Sequence, residues 1–395
     1  MTAAAPPDAR VRRLRRRLEG LLGIPATEGN ALTLLRNGDE IFPAMLEAVR
    51  GAERTIDFLT FVYWKGDIAR EFAAALSERA RSGVRVRVLL DAVGGRLIEA
   101  DLLEDMERCG VELAWFRKPV WQGALLSPFK HNHRTHRKVL VVDERIGFTG
   151  GVGIAEEWCG DARDETEWRD THVRVEGPAV DGIAAAFAQN WAETGRPLAE
   201  DPDTFPEHPA AGGSVVQVVR GSASVGWNDM ATVFRVLFEQ AEERITLQTA
   251  YFAPDDTFER LMTDAVARGV EVDVLLPGPH ADKRVCQLTS ESCYERLVDG
   301  GVRIWAFQPS MMHAKVMTVD GLVAVIGSAN LNRRSLAHDE EVVLAVLDPE
   351  VAVALEGDFR RDLERSERIE PRRWRDRPVR QRVAEQVGAA LKHWM

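Results

Sequence analysis

The chain has 395 residues, 45% hydrophobic and 29% charged, a composition typical of soluble globular enzymes rather than of disordered or fibrous proteins. Its 51 basic and 62 acidic residues give a net charge of −11, so it lacks the overall positive field of a nucleic-acid binder, although a local basic cleft stays open. No apolar run approaches the ~18–20 residues that cross a bilayer, and four scattered cysteines do not suit a disulfide framework. We therefore expect a reduced, cytosolic protein that reaches a membrane only from its surface.

The first predicted element is a basic segment over residues 1–30, with six arginines between Arg10 and Arg17. Glu19 interrupts the short apolar stretch behind them, so the segment predicts neither a secretory signal nor a spanning helix. The arginines could contact anionic lipid headgroups, as could those of the basic C-terminal tail over 371–395. For both ends we favour solvated basic helices that pack on the rest of the protein.

An internal repeat follows. Residues 52–56 open an apolar run that ends at Tyr63, and residues 241–245 open a similar run that ends at Phe252. Each run leads into a helical stretch, a Gly-Val pair and a strand, and then into a second helix and a second Gly-Val pair. This alternation predicts βαβ units and a largely parallel sheet. The predicted helices include 68–82 and 258–268, and the predicted strands include 84–90 and 270–276.

The repeat favours a duplicated α/β fold over a single larger domain. A turn-rich stretch with four prolines, residues 196–213, contains the boundary between the copies. The predicted segments are the basic N-terminal segment 1–30, the first half 31–200, the linker 201–213, the second half 214–370 and the basic helical tail 371–395.

Each half contains the pattern H-x-K-x4-D, which begins with His136 and Lys138 in the first half and with His313 and Lys315 in the second. Residues two apart in a strand point to the same side, so each histidine is expected beside its lysine. An imidazole and an ammonium group repel each other unless an anion lies between them. A phosphate is the obvious candidate for that anion.

The aspartates of the two patterns, Asp143 and Asp320, are interpreted separately. Each lies at a turn, and its odd offset from the histidine places it on the opposite strand face. Aspartates at such positions commonly accept hydrogen bonds from backbone N–H groups. We therefore predict a structural role for both and leave them out of the chemistry.

A glycine-rich turn follows each pattern. In the second half it reads Gly327-Ser328-Ala329-Asn330, whose small residues let backbone N–H groups and the Asn330 amide approach an anion. In the first half it reads Gly150-Gly151-Val152-Gly153, so a glycine stands where the other half has asparagine.

Each half also contains a later acid, Asp170 or Glu341. A carboxylate that bonds one imidazole nitrogen would fix the tautomer of the ring and raise the basicity of the other nitrogen. A solvated acid at a strand end is the alternative for both.

These residues resemble the phospholipase D superfamily, in which two H-x-K-x4-D motifs occur in one duplicated α/β chain. The wider chain, from about residue 37 to about 377, resembles the bacterial cardiolipin synthase branch. The supporting stretches are 133–138, 168–172, 251–254 and 327–331. The resemblance implies two α/β/α sandwich halves with mixed, largely parallel sheets and one active site at their interface.

The resemblance also implies a two-step mechanism without a metal or cofactor. One histidine attacks a phosphodiester and becomes phosphohistidine, and the other protonates the leaving alcohol and then activates an acceptor alcohol or water. By analogy with relatives, His136 is the nucleophile and His313 the acid/base. The implied ligands of the non-bridging oxygens are Lys138, Lys315 and Asn330. Further predicted substrate contacts at the glycine-rich turns are Ser328 and Gly151.

The connection before His136 is longer than its counterpart in the second half. Gly110 to His136 spans 26 positions, whereas Gly301 to His313 spans 12. The additional residues include an apolar group that suits acyl chains better than a nucleic-acid backbone. The members of this group predicted to contact substrate are Trp121, Leu125 and Phe129. A loop that folds back into the core is the alternative.

Two other chemistries are disfavoured. His131, His133 and His136 match H-x-H-x-x-H, a possible zinc cluster, but the surrounding residues are basic and the second half supplies no counterpart, so no metal is expected. Gly-x-Ser-x-Gly is absent from the sequence, which leaves a serine hydrolase without support.

We therefore expect a phosphatidyltransferase, peripheral on the inner face of the cell membrane, that joins two phosphatidylglycerol molecules into cardiolipin and releases glycerol. Its partner would be an anionic phospholipid, while nucleic acid is disfavoured and no obligate protein partner is evident. The alternatives are a phospholipase D-type hydrolase, a nuclease of the same superfamily and a non-catalytic lipid-binding protein.

Overall fold

The computed structural model describes a large part of the chain, namely residues 7–117, 133–197, 204–222, 228–378, 380–382, 385–386 and 388. The predicted apolar contacts Trp121, Leu125 and Phe129 lie outside these residues. Within the described part, no helix is both long enough and apolar enough to span a bilayer.

Helix α1 (Pro7–Leu22) precedes two sets of alternating strands and helices. The first set is β1 (Thr27–Arg36), α2 (Asn37–Arg50), β2 (Thr55–Thr60), α3 (Asp67–Arg81), β3 (Arg85–Asp91), α4 (Ala100–Arg108), β4 (Glu112–Phe116), β5 (Val139–Val142), β6 (Ile146–Gly150), β7 (Thr171–Glu176) and α5 (Val180–Ala192).

The second set begins after the proline-rich stretch. It consists of β8 (Ser214–Gly221), α6 (Asp229–Gln240), β9 (Arg244–Gln248), α7 (Asp256–Ala267), β10 (Glu271–Pro277), α8 (Arg284–Asp299), β11 (Arg303–Phe307), β12 (Val316–Val319), β13 (Val323–Gly327), α9 (Arg333–Ala337), β14 (Glu341–Val346), α10 (Pro349–Glu364), β15 (Ser366–Arg368) and α11 (Pro371–Arg375).

The described strands form one continuous mixed sheet whose halves repeat the same order. Outward from the central β1–β8 pair, the order is β1-β7-β6-β5-β2-β3-β4 on one side and β8-β14-β13-β12-β9-β10-β11 on the other, where β15 adds one further strand beyond β11. This correspondence agrees with the duplication inferred from the sequence. The mixed α/β class is therefore confirmed.

The sheet is not largely parallel, which corrects that part of the prediction. Parallel pairing is confined to β2–β3–β4 and β9–β10–β11, and the other described pairs are antiparallel. The reason is the length of the connections. Strands β5 and β6, like β12 and β13, are joined by only three residues, which permits a hairpin but not a crossover.

The Gly-Val pairs end helices as predicted. Gly83, Gly110, Gly269 and Gly301 have φ values of 92°, 94°, 95° and 87°. In each case the N–H of the following valine donates a hydrogen bond to a carbonyl five residues earlier, the pattern of a Schellman motif. The left-handed conformation at these four positions explains why glycine occupies all of them.

Helix α1 packs on the second half, although it precedes the first half in the chain. Leu14, Leu18 and Leu22 are buried in the same core as the apolar side chains of α6. Arg10 is buried and pairs with Asp320 and, at 2.6 Å, with Glu243. Within the predicted basic segment 1–30, the apolar stripe of α1 therefore belongs to the core of the second half.

A shared apolar core holds the two halves together. It contains Phe187 and Trp191 of α5 and Leu355 and Phe359 of α10, with side chains from strands of both halves. Ala314, which lies between the histidine and lysine of the second motif, is buried in this core. The packing between the halves therefore fixes the backbone on which the motif lies.

Candidate active site

The histidine and lysine of each motif lie immediately before strands β5 and β12 rather than within them, which corrects the predicted strand placement. Their backbones pair with the opposite half instead. The His136 N–H donates to the Glu340 carbonyl at 2.8 Å, and the His313 N–H donates to the Arg169 carbonyl at 2.7 Å. The expected proximity of histidine and lysine is retained, since Lys138 Nζ donates to the His136 carbonyl at 2.7 Å.

Each histidine is bonded to a carboxylate from the other half. His136 Nδ1 lies 3.0 Å from Glu341 Oε1, and His313 Nδ1 lies 2.7 Å from Asp170 Oδ2. The crossing follows from the backbone pairing, because each acid comes directly after the residue that pairs with the opposite histidine. A carboxylate at Nδ1 keeps the proton on that nitrogen and leaves the lone pair of Nε2 available for chemistry.

Both carboxylates are held in place by further donors. Asp170 accepts hydrogen bonds from Trp158 Nε1 at 2.9 Å and from the Thr171 N–H at 2.8 Å. Glu341 accepts a hydrogen bond from the Ser328 hydroxyl. Both acids are fully buried. These contacts restrict the position of each carboxylate and, through it, of each imidazole ring.

The glycine-rich turns support the acids, while the contact of Ser328 and Gly151 with substrate stays a prediction. Ser328 is fully buried, donates to Glu341 and accepts from the Val342 N–H at 3.0 Å. The Gly151 N–H donates to the Thr171 carbonyl at 3.3 Å, and a Cβ at Gly151 would collide with the Asp170 carboxylate. Glycine is therefore needed there so that Asp170 can approach.

Three nitrogen-bearing side chains accompany the histidines. Lys138 and Lys315 are 3% and 4% exposed. Both lysines lower the pKa of His136 and of His313, and Lys315 also lowers that of Lys138. Asn330 accepts hydrogen bonds at its Oδ1 from Thr249 Oγ1 and the Tyr251 N–H, both at 3.2 Å. Within the described residues its amide nitrogen donates to none, so that N–H group remains available for an anionic oxygen.

The electrostatics of the site favour an anion. Burial, with the two lysines acting in the same direction and the paired carboxylates against it, lowers the pKa of His136 to about 4 and that of His313 to about 3. Burial also lowers the pKa of Lys138 to about 7 and that of Lys315 to about 8. A phosphodiester entering the site would reverse these shifts, because its negative charge stabilises protonated lysine and imidazolium.

The pKa values of the two acids are lowered as well, but here the cause is the positive charge beside them. Burial raises the pKa of a carboxyl group, but His313 and Lys315 outweigh it at Asp170, and His136 and Lys138 outweigh it at Glu341. Both pKa values are therefore below their ordinary range, and both groups are carboxylates at neutral pH.

Aromatic rings surround the histidines. Phe61 lies edge-on to His136, at a centroid distance of 5.2 Å and with 62° between the ring planes. Trp158, Trp168 and Tyr251 lie 5.1, 5.3 and 6.3 Å from His313. These rings exclude water from the imidazoles, which is consistent with side-chain exposures of 12% for His136 and 5% for His313.

Several residues of the site were not identified from the sequence. Trp158 bonds Asp170, and Arg137 is fully buried and donates to the carbonyls of Glu341 and Gly221 in the opposite half. His172 is buried beside the site with no partner at Nδ1 among the residues that the structure describes, and burial lowers its pKa to about 4. Arg137 occupies the variable position of its motif and His172 is the last residue of the stretch 168–172, so position near a motif was the available signal. Trp158 offered none.

The structural role predicted for the motif aspartates is confirmed. Asp143 accepts hydrogen bonds from the N–H groups of Glu53, Arg54 and Thr55 at 2.7–2.9 Å. Asp320 accepts equivalent bonds from three consecutive N–H groups, those of residues 242–244. Each aspartate therefore fixes the start of a strand, at the edge of the sheet away from the histidines.

The possible zinc cluster includes His131, which lies outside the described residues. In the part of the chain that the structure covers, no group of three or more histidine, cysteine or acidic side chains is arranged to hold a metal ion.

Known proteins share both the sequence and the fold. The family model described as "Cardiolipin synthase, PLD-like domain" matches residues 45–191 and 235–363. Cardiolipin synthase A of Pseudomonas syringae pv. syringae is 33% identical over 86% of this chain and 70% of its own length. Cardiolipin synthase 1 of Bacillus anthracis is 31% identical over 92% of this chain and 72% of its own length.

Solved structures share the architecture. Phosphatidylserine synthase from Haemophilus influenzae has a TM-score of 0.71 at 16% identity and covers 97% of both chains. Polyphosphate kinase from Porphyromonas gingivalis has a TM-score of 0.58 at 16% identity over 96% of this chain and 55% of its own. At these identities the likeness concerns the fold alone.

The duplicated fold, the paired motifs and the family match place the chain in the phospholipase D superfamily. The branch within the superfamily follows from the length and the sequence identity of the matches to the two cardiolipin synthases. Within that superfamily the chain belongs to the cardiolipin synthase-like branch and is a phosphatidyltransferase.

Proposed function

We propose that the protein joins two phosphatidylglycerol molecules into cardiolipin and releases glycerol. The observation that carries this proposal is the pair of crossed histidine–carboxylate bonds beside two buried lysines. This arrangement supplies a nucleophile, a proton donor and charge for one phosphodiester. The relatives named cardiolipin synthase support the choice of substrate.

In the first step, Nε2 of His136 attacks the phosphorus of one phosphatidylglycerol. The bond from phosphorus to the glycerol oxygen breaks, and protonated His313 gives its proton to that oxygen, so glycerol leaves. His313 acquires this proton when the phosphodiester anion binds and raises its pKa. The product is a phosphatidyl group on His136, with Lys138, Lys315 and Asn330 beside the non-bridging oxygens.

In the second step, neutral His313 takes the proton from a hydroxyl of the second phosphatidylglycerol. That oxygen attacks phosphorus, the bond to His136 breaks, and cardiolipin forms. We assign His136 as the nucleophile because its ring is the more exposed of the two, 12% against 5%, and so is the more accessible to phosphorus.

The substrate defines the place of action. Phosphatidylglycerol is an anionic membrane lipid, so we propose that the protein works as a peripheral enzyme on the inner face of the cell membrane. Neither nucleic acid nor a protein partner is needed for this reaction.

The test is product analysis with vesicles that contain phosphatidylglycerol. The purified protein is expected to produce cardiolipin and glycerol in equal amounts, and His136→Ala and His313→Ala are each expected to abolish turnover. His208→Ala serves as a matched control, because that ring pairs with Asp181, outside the site. Phosphatidate as the lipid product would indicate a hydrolase, and cleavage of DNA with untouched lipid would indicate a nuclease. Normal turnover in either motif variant would refute a shared site.

A further inference from the structure

A recess in the second half has no role in the steps above, and one of its walls is Tyr251, whose ring also contacts His313. It occupies about 260 Å³, part of which is open to solvent, and its walls come from the residues after β9 and from the segment between β10 and α8. Tyr251, Asp282 and Lys283 line it, together with Cys286 and Ser290. The recess is narrow, with room for about one water-sized group.

Two of these residues present polar groups in a fixed geometry. The Tyr251 hydroxyl donates to Asp282 Oδ2 at 2.7 Å, and Lys283 Nζ lies 5.1 Å from the centre of the Tyr251 ring. The Asp282 side chain is only 18% exposed. Both residues are also linked to the active site. The Tyr251 ring is perpendicular to His313, and the charge of Asp282 raises the pKa of Lys315.

The aromatic residues beside the two histidines differ in their capacity to form hydrogen bonds. The ring beside His136 is Phe61, and Lys138 Nζ lies 5.6 Å from its centre. Phenylalanine has no hydrogen-bonding group, whereas Tyr251 holds a carboxylate. The side of the site with His313 is therefore the side suited to an alcohol, since hydroxyl groups donate well to a carboxylate.

We propose that Asp282, positioned by Tyr251, binds the glycerol headgroup of the acceptor lipid, a subsite that rests on the proposed function. That headgroup has two free hydroxyl groups on adjacent carbons. One hydroxyl group donates a hydrogen bond to Asp282 in the recess. This contact places the other hydroxyl group beside His313, which deprotonates it. The acceptor preferred by this subsite is a vicinal diol rather than a simple alcohol.

The experiment measures the choice between two acceptors. A phosphatidyl-p-nitrophenol donor in micelles forms the phosphohistidine without recognition of a leaving glycerol. Glycerol and propan-1-ol then compete for it, and the ratio of phosphatidylglycerol to phosphatidylpropanol reports acceptor selectivity whatever the total rate. The expected result is that Asp282→Asn lowers this ratio about tenfold, the loss typical of a hydrogen bond to a charged group. Tyr251→Phe lowers the ratio in the same direction, because it frees the Asp282 side chain. Asp256→Asn, at an exposed acid on α7, serves as the control and leaves the ratio unchanged.

An unchanged ratio in both Asp282→Asn and Tyr251→Phe would overturn the proposal. So would loss of nitrophenol release from both folded variants, which would place the two groups in the phosphoryl-transfer step itself. Wild-type protein that releases nitrophenol but yields only phosphatidate would contradict the transferase function, and the subsite would fall with it. That outcome is distinct, because it is seen before any variant is made.

Discussion

Each catalytic histidine is bonded to a carboxylate from the opposite half, so we predict that each half sets the tautomer and orientation of the histidine in the other. The substitution Glu341→Gln tests this directly. Glutamine has the length of glutamate, so the substitution removes a charge from the buried contact with His136 while keeping its size. The carboxylate keeps the proton of His136 on Nδ1. An amide holds the ring less firmly and lets its nitrogen face the ring nitrogen, which favours the wrong tautomer.

The expected magnitude follows from the 3.0 Å contact. A hydrogen bond to a charged group contributes about 1.5–3 kcal/mol, which corresponds to a rate of phosphohistidine formation about 10- to 150-fold lower. A complete change of tautomer would slow the reaction by up to about 10⁴-fold. Stability should change less than activity, because the neutral glutamine is easier to bury than a carboxylate.

The assay compares Glu341→Gln with Asp170→Asn in single-turnover trapping of phosphohistidine, using two donors. Nitrophenol leaves without protonation, so Asp170→Asn, which disturbs the acid/base His313, should slow that donor little and phosphatidylglycerol strongly. Glu341→Gln should slow both donors alike, because the nucleophile is affected. The reasoning is refuted if Asp170→Asn slows the nitrophenol donor as much as Glu341→Gln does.

Three further outcomes are expected. Leu18→Ala, at a fully buried position of α1, should lower the free energy of unfolding by about 2–4 kcal/mol in urea titrations, because α1 belongs to the core of the second half. Asp143→Ala should lower it by about 2 kcal/mol through the loss of three backbone hydrogen bonds, while kcat of the folded fraction is unchanged. The pKa values of His136, His172 and His313 are lowered in the folded protein, whereas a histidine in the unfolded chain has a pKa of about 6.5. Below about pH 6.5 the unfolded chain therefore binds more protons than the folded protein. The free energy of unfolding should fall as the pH drops from about 6.5 toward 4.

A specific result would contradict each of these three predictions. A loss below about 0.5 kcal/mol in Leu18→Ala would mean that α1 is not part of the core. A drop in kcat that exceeds the unfolded fraction in Asp143→Ala would give that aspartate a part in the chemistry. Urea midpoints that are equal at pH 7 and pH 5 would show that the buried histidines are not neutral in the folded protein.

Local signals in the sequence were enough for the helices, the duplication and the motif residues. A glycine that ends a helix needs only its own backbone conformation, so the four Gly-Val pairs marked helix ends correctly. The role of Asp143 was also local in kind, because a turn aspartate bonds nearby N–H groups wherever the turn lies. The sheet was predicted less well, since a parallel or antiparallel pairing depends on how long each connection is.

The chemistry depended on contacts that no local pattern encodes. Ser328 and Gly151 are predicted to contact the substrate because small residues admit an anion, and the folded protein shows that they also admit the buried acids. The Tyr251–Asp282 contact joins residues 31 positions apart in separate βα connections. The sequence gives the type of each side chain, but not the distant residue with which that side chain is paired.

The sequence by itself determined that there are two equivalent α/β halves, each with a histidine, a lysine and an acid, because periodicity, helix ends and motif spacing are properties of adjacent residues. Only the tertiary structure decided which acid serves which histidine. His136 and Glu341 are 205 positions apart, and His313 and Asp170 are 143 apart. These pairs form because the backbone before each acid bonds to the motif of the opposite half, and that bond exists only after the halves have packed on their shared core.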